Sequence, residues 1–551
     1  MEIVTTSPIP GQKTGTSGLR KKTSLVESTP NFIENWVQSV VNAIGSLAQK
    51  SFAIGGDGRY LNPQAIQSII GILAANGAEG VVVARDGLMS TPAVSCLIRK
   101  RKLSGGFILT ASHNPAGKTG DWGIKFNAEA GEPAPESFTD RIFMETMNIH
   151  EIKRMQLSAD LSNLGITRHG NFSIEVIDPV SDYLDLLKNI FDFEMLRNFC
   201  ARPEFSLLFD GMNAVTGVYA KKIFCEALGL PEKSIRQCTP LPDFGGGHPD
   251  PNLTYAADLL RCMQKNAHVV FGAASDGDGD RNMILGRNGF FVSPSDSVAI
   301  IANYAEQAIP YFARHKILGV ARSMPTSRAL DIVAAAKKFP CFQTPTGWKY
   351  FGNLMDAGLA NLCGEESFGT GGDHIREKDG LWAVMCWLSI LAFEATQKGR
   401  LVEVEEICKQ HWDVYGRHFY RRCDYEECES SAAEKMFEHL REQVKKHVNG
   451  SVVSEGWIIQ SAEEYTYVDP VDKSVASKQG IIFCFANGGR VIFRLSGTGS
   501  SGATIRLYME LYTKEWRSAV EELETTEIMD VALLLSNLQS FTGRSKPTVV
   551  T

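Results

Sequence analysis

Four loops in this chain combine residue types that suit chemistry better than structure. Asp276-Gly277-Asp278-Gly279-Asp280-Arg281 sets three carboxylates at alternate positions with glycines between them. Oxygen ligands so spaced can converge on one hard cation, and without a cation they repel one another. An EF-hand opens the same way but needs glycine at loop position six and glutamate at twelve. Here those positions hold Arg281 and Arg287, so that reading fails and a Mg²⁺ site is the expectation. Water or phosphate should fill the remaining valences, because protein alone seldom encloses Mg²⁺. Thr110-Ala111-Ser112-His113-Asn114-Pro115 puts a serine beside a histidine on a tight turn. Such a hydroxyl can be an activated nucleophile or a phosphate carrier. No Gly-x-Ser-x-Gly elbow is present, which argues against α/β-hydrolase chemistry.

Gly364-Glu365-Glu366-Ser367-Phe368-Gly369 offers two acids and a hydroxyl on a turn, a set able to hold vicinal sugar hydroxyls. The charged loop Asp373 to Gly380 follows it, and is either part of a site or bare surface. Arg494 to Arg506 mixes glycines, Ser and Thr hydroxyls and two arginines, the makings of a phosphate cradle. It lacks the Gly-Lys-Ser/Thr of a nucleotide P-loop. In Gly123-Ile124-Lys125-Phe126-Asn127 a lysine sits between apolar residues. It is either buried and able to move protons near neutrality, or a strand lysine reaching for solvent. The segment Gly11 to Lys22 is a flexible tail or an anion-gripping loop. Together the loops supply a hydroxyl nucleophile, a metal triad, a sugar-hydroxyl loop and a phosphate cradle, which describes phosphoryl transfer on a phosphosugar.

These loops need elements to aim them. Three times a short apolar strand meets a polar turn and then a helix, at Ser51 to Leu73, Ser206 to Leu228 and Lys316 to Lys337. Strand, turn and helix form the βα half of a βαβ unit, so three related α/β domains are expected. Past Gly416 the text shifts to charged helices such as Ala432 to Val448 and short strands such as Gly480 to Ala486. That is the pattern of an α+β domain. The expected division is 1–180, 181–292, 293–410 and 411–551.

Composition sets the frame. The 551 residues are 44% hydrophobic and 22% charged, the balance of a soluble globular protein with about three or four domains. A net charge of −7 argues against nucleic-acid binding through bulk charge. The twelve cysteines include no Cys-x-x-Cys pair, which fits reduced thiols in the cytoplasm rather than disulfides or zinc. The opening residues show no signal-peptide pattern, and the apolar run Leu381 to Phe393 is short for a bilayer, so a buried helix is expected.

The loops Thr110 to Pro115, Asp276 to Arg281, Gly364 to Gly369 and Arg494 to Arg506 occur in this order in the α-D-phosphohexomutases. The chain resembles the eukaryotic phosphoglucomutases of that family from Thr14 almost to its end, with support from Gly123 to Asn127, Pro345 to Lys349 and His374 to Gly380. Ala116 and Ser501 depart from its usual pattern, where glycine and alanine are common. The resemblance implies four domains around a cleft, three related mixed α/β domains and a C-terminal α+β domain that closes by hinge rotation. It implies that glucose 1-phosphate and glucose 6-phosphate are interconverted through a phosphoserine and glucose 1,6-bisphosphate. Ser112 would carry the phosphoryl group, and Asp276, Asp278 and Asp280 would hold one Mg²⁺ against it. His113 and Lys125 would be the acid and base candidates, with Arg20 and Arg281 steadying charge. Thr346, Gly347, Glu365, Ser367 and Lys378 would meet the sugar, while Arg494, Ser496, Thr498 and Arg506 would grip the non-reacting phosphate. The Glu-Glu-Ser loop resembles that of the glucose enzymes more than those for mannose or glucosamine. A monomer with no nucleic-acid partner and no transmembrane segment is expected. Two alternatives share the fold: a non-catalytic or moonlighting interaction protein like the parafusin- and aciculin-like members, and an enzyme making the bisphosphate from another phosphoryl donor.

Overall fold

The structure is a computed structural model and describes residues 1–15, 18–447, 449–497, 502–518 and 521–551. Its first three sheets share one plan. In each, the first strand pairs in parallel with the second on one side and the third on the other, and a fourth returns antiparallel to the third. The strands are Ser51–Gly56, Gly80–Leu88, Gly106–Leu109 and Asp121–Asn127 in the first sheet. In the second they are Leu207–Asp210, Ile235–Arg236, Phe271–Ser275 and Asn282–Gly286. In the third they are Val320–Ser323, Cys341–Thr344, Leu362–Gly364 and Thr370–Gly372. The first sheet adds edge strands, and one of them, Leu19–Lys22, turns the basic N-terminal segment into structure rather than tail.

The plan decides where chemistry goes. The turn from third to fourth strand leaves the C-terminal end of a parallel strand beside the point where strand order reverses, where open α/β sheets bind ligands. The serine loop, the aspartate loop and the Glu-Glu-Ser loop are that turn in the first, second and third sheets. The fourth domain carries a seven-stranded antiparallel sheet, with Ala503–Thr513 between Arg417–Cys428 and Gly489–Gly497. The helices Ser430–Lys446 and Glu521–Ser536 cover one face through Met436, Phe437, Leu440, Ile528 and Val531. Helices kept to one face of an antiparallel sheet make an α+β domain.

The first three domains also share apolar packing. Ile108 of the first sheet, Phe271 of the second and Leu362 of the third belong to one buried cluster with the helix Gly380–Lys398. Asp379 caps that helix by accepting the Trp382 N–H at 3.0 Å, and Gly399 ends it in the left-handed conformation. The helix extends beyond the apolar run at both ends. By length and composition it could cross a membrane, but 83% of its most apolar stretch is buried inside the protein. The expected helix over Val218 to Leu228 is α-helical only at Thr216–Ala220 and continues as a π-helix over Lys221–Ala227. The twelve cysteines are free.

Asp379 also accepts the Tyr183 hydroxyl at 2.6 Å and stands 3.0 Å from His374 Nε2, with all three side chains sealed from water. Replacing it by alanine removes a cap and orphans two buried polar groups. Asp379→Ala should cost about 3–5 kcal/mol of unfolding free energy, read from the urea midpoint at unchanged slope.

Candidate active site

The chain turns sharply at Ser112, whose φ is +54°. A non-glycine residue in that left-handed region is held there by its surroundings. What holds it is a buried ion pair, with Arg59 Nε 2.9 Å from Asp57 Oδ2. Arg59 Nη2 donates to the Ser112 carbonyl at 3.0 Å and Nη1 to the Asp121 carbonyl at 2.6 Å, tying both ends of the loop. Asp57 accepts the Thr110 hydroxyl at 2.6 Å, and Thr110 Oγ1 accepts the Ser112 N–H at 2.7 Å. The Ser112 hydroxyl donates to Asp276 Oδ2 at 3.0 Å and lies 3.3 Å from His113 Nδ1. Gly277 permits this approach, since a Cβ there would stand 2.3 Å from the Ser112 carbonyl oxygen.

Asp276, Asp278 and Asp280 are buried and bring one carboxylate oxygen each within 4.8 Å of the others. Burial first, then Asp278 and Asp280, push Asp276 well above the usual carboxylate range. Burial acts the same way on Asp278, but Lys125, Lys378, the Thr91 hydroxyl at 2.8 Å and Arg20 outweigh it and hold that group low. Lys378 Nζ lies 3.0 Å from Asp280 Oδ2. Asp278 Oδ1 and Asp280 Oδ1 are buried with no hydrogen-bond partner. Hard oxygen donors, clustered and left unsatisfied, fit a divalent cation. Arg281 Nη1 pairs with Asp250 at 3.1 Å; burial acts against the charge of both Arg281 and Arg20, but Asp250, Asp276 and Asp280 outweigh it at Arg281 whereas it prevails at Arg20.

Lys125 is buried, and its Nζ lies 2.7 Å from Glu377 Oε1, which also accepts Asn127 Nδ2 at 2.9 Å. The charged loop after the Glu-Glu-Ser turn is therefore part of the site. Glu365 Oε1 accepts the Gly347 N–H at 3.2 Å, and the Thr346 hydroxyl is buried without a partner. The Glu365 carboxyl is pushed up by burial. Ser367 stands half-buried beside it. A backbone bridge between Arg281 and Gly369 joins the aspartate loop to this loop. His113 is half-buried, its pKa held well below the usual value by desolvation and then by Arg281 and Arg20, and its ring stacks at 6.2 Å on His248.

Arg494 and Arg506 face each other on paired strands of the fourth domain. Arg494 Nη1 donates to the Tyr508 hydroxyl at 3.3 Å, and Arg506 Nε lies 3.6 Å from Asp424 Oδ2. Burial acts against the Arg494 charge, but Tyr508, Glu366 and Glu365 outweigh it, so Arg494 lies within electrostatic reach of the Glu-Glu-Ser loop. Ser496 is half-buried at the strand's end. Thr498 and Ser501 lie outside the described residues, as do Thr16 and Ser17.

Sequence reasoning missed several partners. Asp57 and Arg59 were visible only as a Gly-Gly-Asp-Gly turn, Glu377 only as one charge in a run, and His248 and Arg422 not at all. Arg422 donates to Asp424 at 2.8 Å through Nε and bears electrostatically on Arg281 across the domains.

Three α/β domains that each lend one loop to a shared site, with arginines of a fourth domain opposite, define a phosphosugar mutase. Comparison with known sequences agrees along the chain. Residues 11–153, 181–289 and 293–415 match phosphoglucomutase/phosphomannomutase α/β/α domains I, II and III, and 417–548 match the phosphoglucomutase-1 C-terminal domain. The chain belongs to the phosphoglucomutase/phosphomannomutase family. It is 55% identical to a chloroplastic phosphoglucomutase of Arabidopsis thaliana over 99% of this chain and 88% of that one. It is 51% identical to a probable cytoplasmic phosphoglucomutase of the same plant over 100% and 99%. The crystal structure of the exocytosis-sensitive phosphoprotein parafusin, a phosphoglucomutase from Paramecium in an open form, superposes with a TM-score of 0.92. It is 49% identical and covers 100% of this chain and 99% of that one.

The Asp57–Arg59 pair gives a clean stability test. Arg59→Met strands a buried carboxylate and should lower unfolding free energy by about 3–5 kcal/mol. Adding Asp57→Asn should recover part of that loss in chemical denaturation, because the uncompensated charge is gone.

Proposed function

We propose that the protein interconverts glucose 1-phosphate and glucose 6-phosphate through phosphoserine 112 and glucose 1,6-bisphosphate. The observation that carries the proposal is the Ser112 hydroxyl, 3.0 Å from the first aspartate of a clustered triad. In the first half-reaction the bond from phosphorus to Ser112 Oγ breaks, and one forms to the carbon-6 oxygen of glucose 1-phosphate. The Lys125–Glu377 pair receives the sugar's hydroxyl proton and gives one back to the freed Ser112 oxygen. After the bisphosphate turns end for end, its carbon-1 phosphoryl passes to Ser112, and the Ser112 proton leaves on the carbon-1 oxygen of glucose 6-phosphate. His113, kept neutral by its surroundings, offers Nδ1 at 3.3 Å as a local acceptor for that proton.

We assign the triad, with the phosphate on Ser112, one Mg²⁺ per chain. Bound there, it would neutralise oxygen charge on the transferring group. Arg20 and Arg281 steady the charge near the nucleophile. Thr346, Gly347, Glu365, Ser367 and Lys378 hold the sugar. Arg494, Ser496, Thr498 and Arg506 grip whichever phosphate is not reacting, so the cradle must bind a dianion without reading the sugar. The Glu-Glu-Ser loop then carries the preference for glucose. We divide the chain into 1–180, 181–292, 293–410 and 411–551, with the helix Val404–Tyr415 running through the last junction. We propose a cytoplasmic monomer, in keeping with twelve free thiols and a 51% identical cytoplasmic relative. The chain retains Ser112, the three aspartates and both cradle arginines, which favours catalysis over a purely interacting role.

The test is a coupled assay with glucose 1-phosphate, Mg²⁺ and a trace of the bisphosphate, following glucose 6-phosphate. Ser112→Ala should lose at least about 10³-fold in turnover at an unchanged unfolding midpoint, as removal of a covalent carrier requires. Chelation should silence the wild type, and near wild-type turnover by Ser112→Ala would sink the reading.

A further inference from the structure

One face of the fourth-domain sheet carries more than the cradle. Arg506, Tyr508 and Glu510 alternate along one strand, and their partners on the next are Arg494, Ile492 and Arg490. Side chains at alternate positions share a face. The cradle is therefore one end of a row whose other end is Glu510 with Arg490, and this row packs on the third domain. At the Glu510 end, Arg490 Nε donates to Oε2 at 2.6 Å, and His418 Nδ1 lies 2.6 Å from Oε1. Arg328 of the third domain donates its backbone N–H to Oε1 at 2.9 Å, and its Nη2 donates to the Gly488 carbonyl at 3.0 Å. Glu510, Arg490 and His418 are sealed from water. Burial acts against the Glu510 charge, yet Arg490, His418 and Arg328 outweigh it and hold the carboxyl well below its usual range.

The same cluster grips the third-domain loop Ser323 to Ser327. Arg490 donates to the Met324 carbonyl at 3.1 Å and to the Thr326 carbonyl at 2.6 Å, and Tyr420 donates to the Pro325 carbonyl at 2.8 Å. That loop in turn fixes the Glu-Glu-Ser turn. The Thr326 hydroxyl accepts the Glu366 N–H at 2.9 Å, and the Ser323 hydroxyl donates to Glu366 Oε2 at 3.1 Å. Glu510 thus reaches the sugar loop through Arg490 and Thr326, and the phosphate cradle along its own strand.

We infer that Glu510 is a positioning residue that anchors the far end of the cradle strand to the third domain, so that the cradle swings about one fixed point relative to the sugar loop. An apolar seam of Met324, Tyr465, Tyr467, Ile482, Ile492 and Tyr508 also joins these domains. Apolar contact is non-directional and tolerates sliding, whereas a carboxylate shared by two arginines and a histidine has one register. This inference rests on the proposed mutase reaction, in which the bisphosphate must turn without escaping. A cradle whose anchor slips closes out of register with the sugar loop and loses the intermediate, so the consequence is leakage rather than slower transfer.

The test compares wild type, Glu510→Gln and Glu510→Asp as full-length protein. For Glu510→Gln we expect the half-saturating concentration of added glucose 1,6-bisphosphate to rise at least about tenfold, and KM for glucose 1-phosphate to rise with it. The kcat at saturating bisphosphate should change less than about threefold. Glu510→Asp, which keeps the charge, should recover part of the bisphosphate requirement. Small-angle scattering should give Glu510→Gln a larger radius of gyration than wild type. If Glu510→Gln does not fold, the double variant Glu510→Gln/Arg490→Gln removes both buried charges and is read the same way. A folded variant with wild-type KM, bisphosphate requirement and radius of gyration overturns the inference, as does a fall in kcat alone. A wild type unable to convert glucose 1-phosphate fails the mutase reading instead. The scattering comparison then decides the inference by itself.

Discussion

Three buried carboxylates within 4.8 Å of one another are the constraint around which this protein is arranged. Like charges at that distance, with little water to screen them, repel strongly. No single domain supplies enough positive charge to hold them. Arg20 and Lys125 come from the first domain, Arg281 from the second and Lys378 from the third, and each bears on the triad. The outcome is uneven: burial and its neighbours raise the Asp276 carboxyl, while the surrounding cations hold Asp278 low. A site built this way exists only when the three domains are assembled. Their shared core is in that sense a condition of the chemistry rather than a convenience of packing.

Using one turn three times explains how such assembly is possible. The third strand of each sheet is parallel and the fourth antiparallel, so the connecting turn sits at the sheet's binding end. Three copies of that turn can meet at one point if the sheets point their binding ends together. Close approach then selects glycines: Gly277 against the Ser112 carbonyl, and Gly380, where a Cβ would stand 2.1 Å from the Arg281 carbonyl oxygen. These glycines belong to the contact between loops more than to the flexibility of either loop.

What the sequence made legible was local. The aspartates, the Ser-His turn, the Glu-Glu-Ser loop and the arginine pair declare their chemistry by composition within a few residues, and most expected strands lie within a few residues of those observed. What stayed hidden was the partner of each group. Lys125 meets Glu377 from 252 positions away, and no periodicity links them. The choice between a buried lysine and one reaching for solvent could not be made without that contact. Asp57 and Arg59 read as an ordinary turn because their work, tying both ends of the serine loop, is done through backbone carbonyls whose positions the sequence does not encode. The π-helical continuation of Thr216–Ala220 escaped because the hydrophobic pattern of Val218 to Leu228 suits either helix.

The fourth domain solves a different problem from the other three. Its arginines must accept a phosphate attached to either end of the sugar, so they cannot gain specificity from the sugar itself. Specificity must come from where the cradle is held relative to the loop that reads hydroxyls. A flexible tether would supply affinity without that distance, and a purely apolar interface would let the distance drift. Burying Glu510 among Arg490, His418 and Arg328 is costly in desolvation and gains little net stability over a well-packed apolar contact. Its return is geometric, because charges that cannot be left unpaired in the interior permit few alternative registers. The expense of a buried ionic cluster at this seam makes physical sense if a fixed pivot between two binding loops, rather than stability, is what the seam secures.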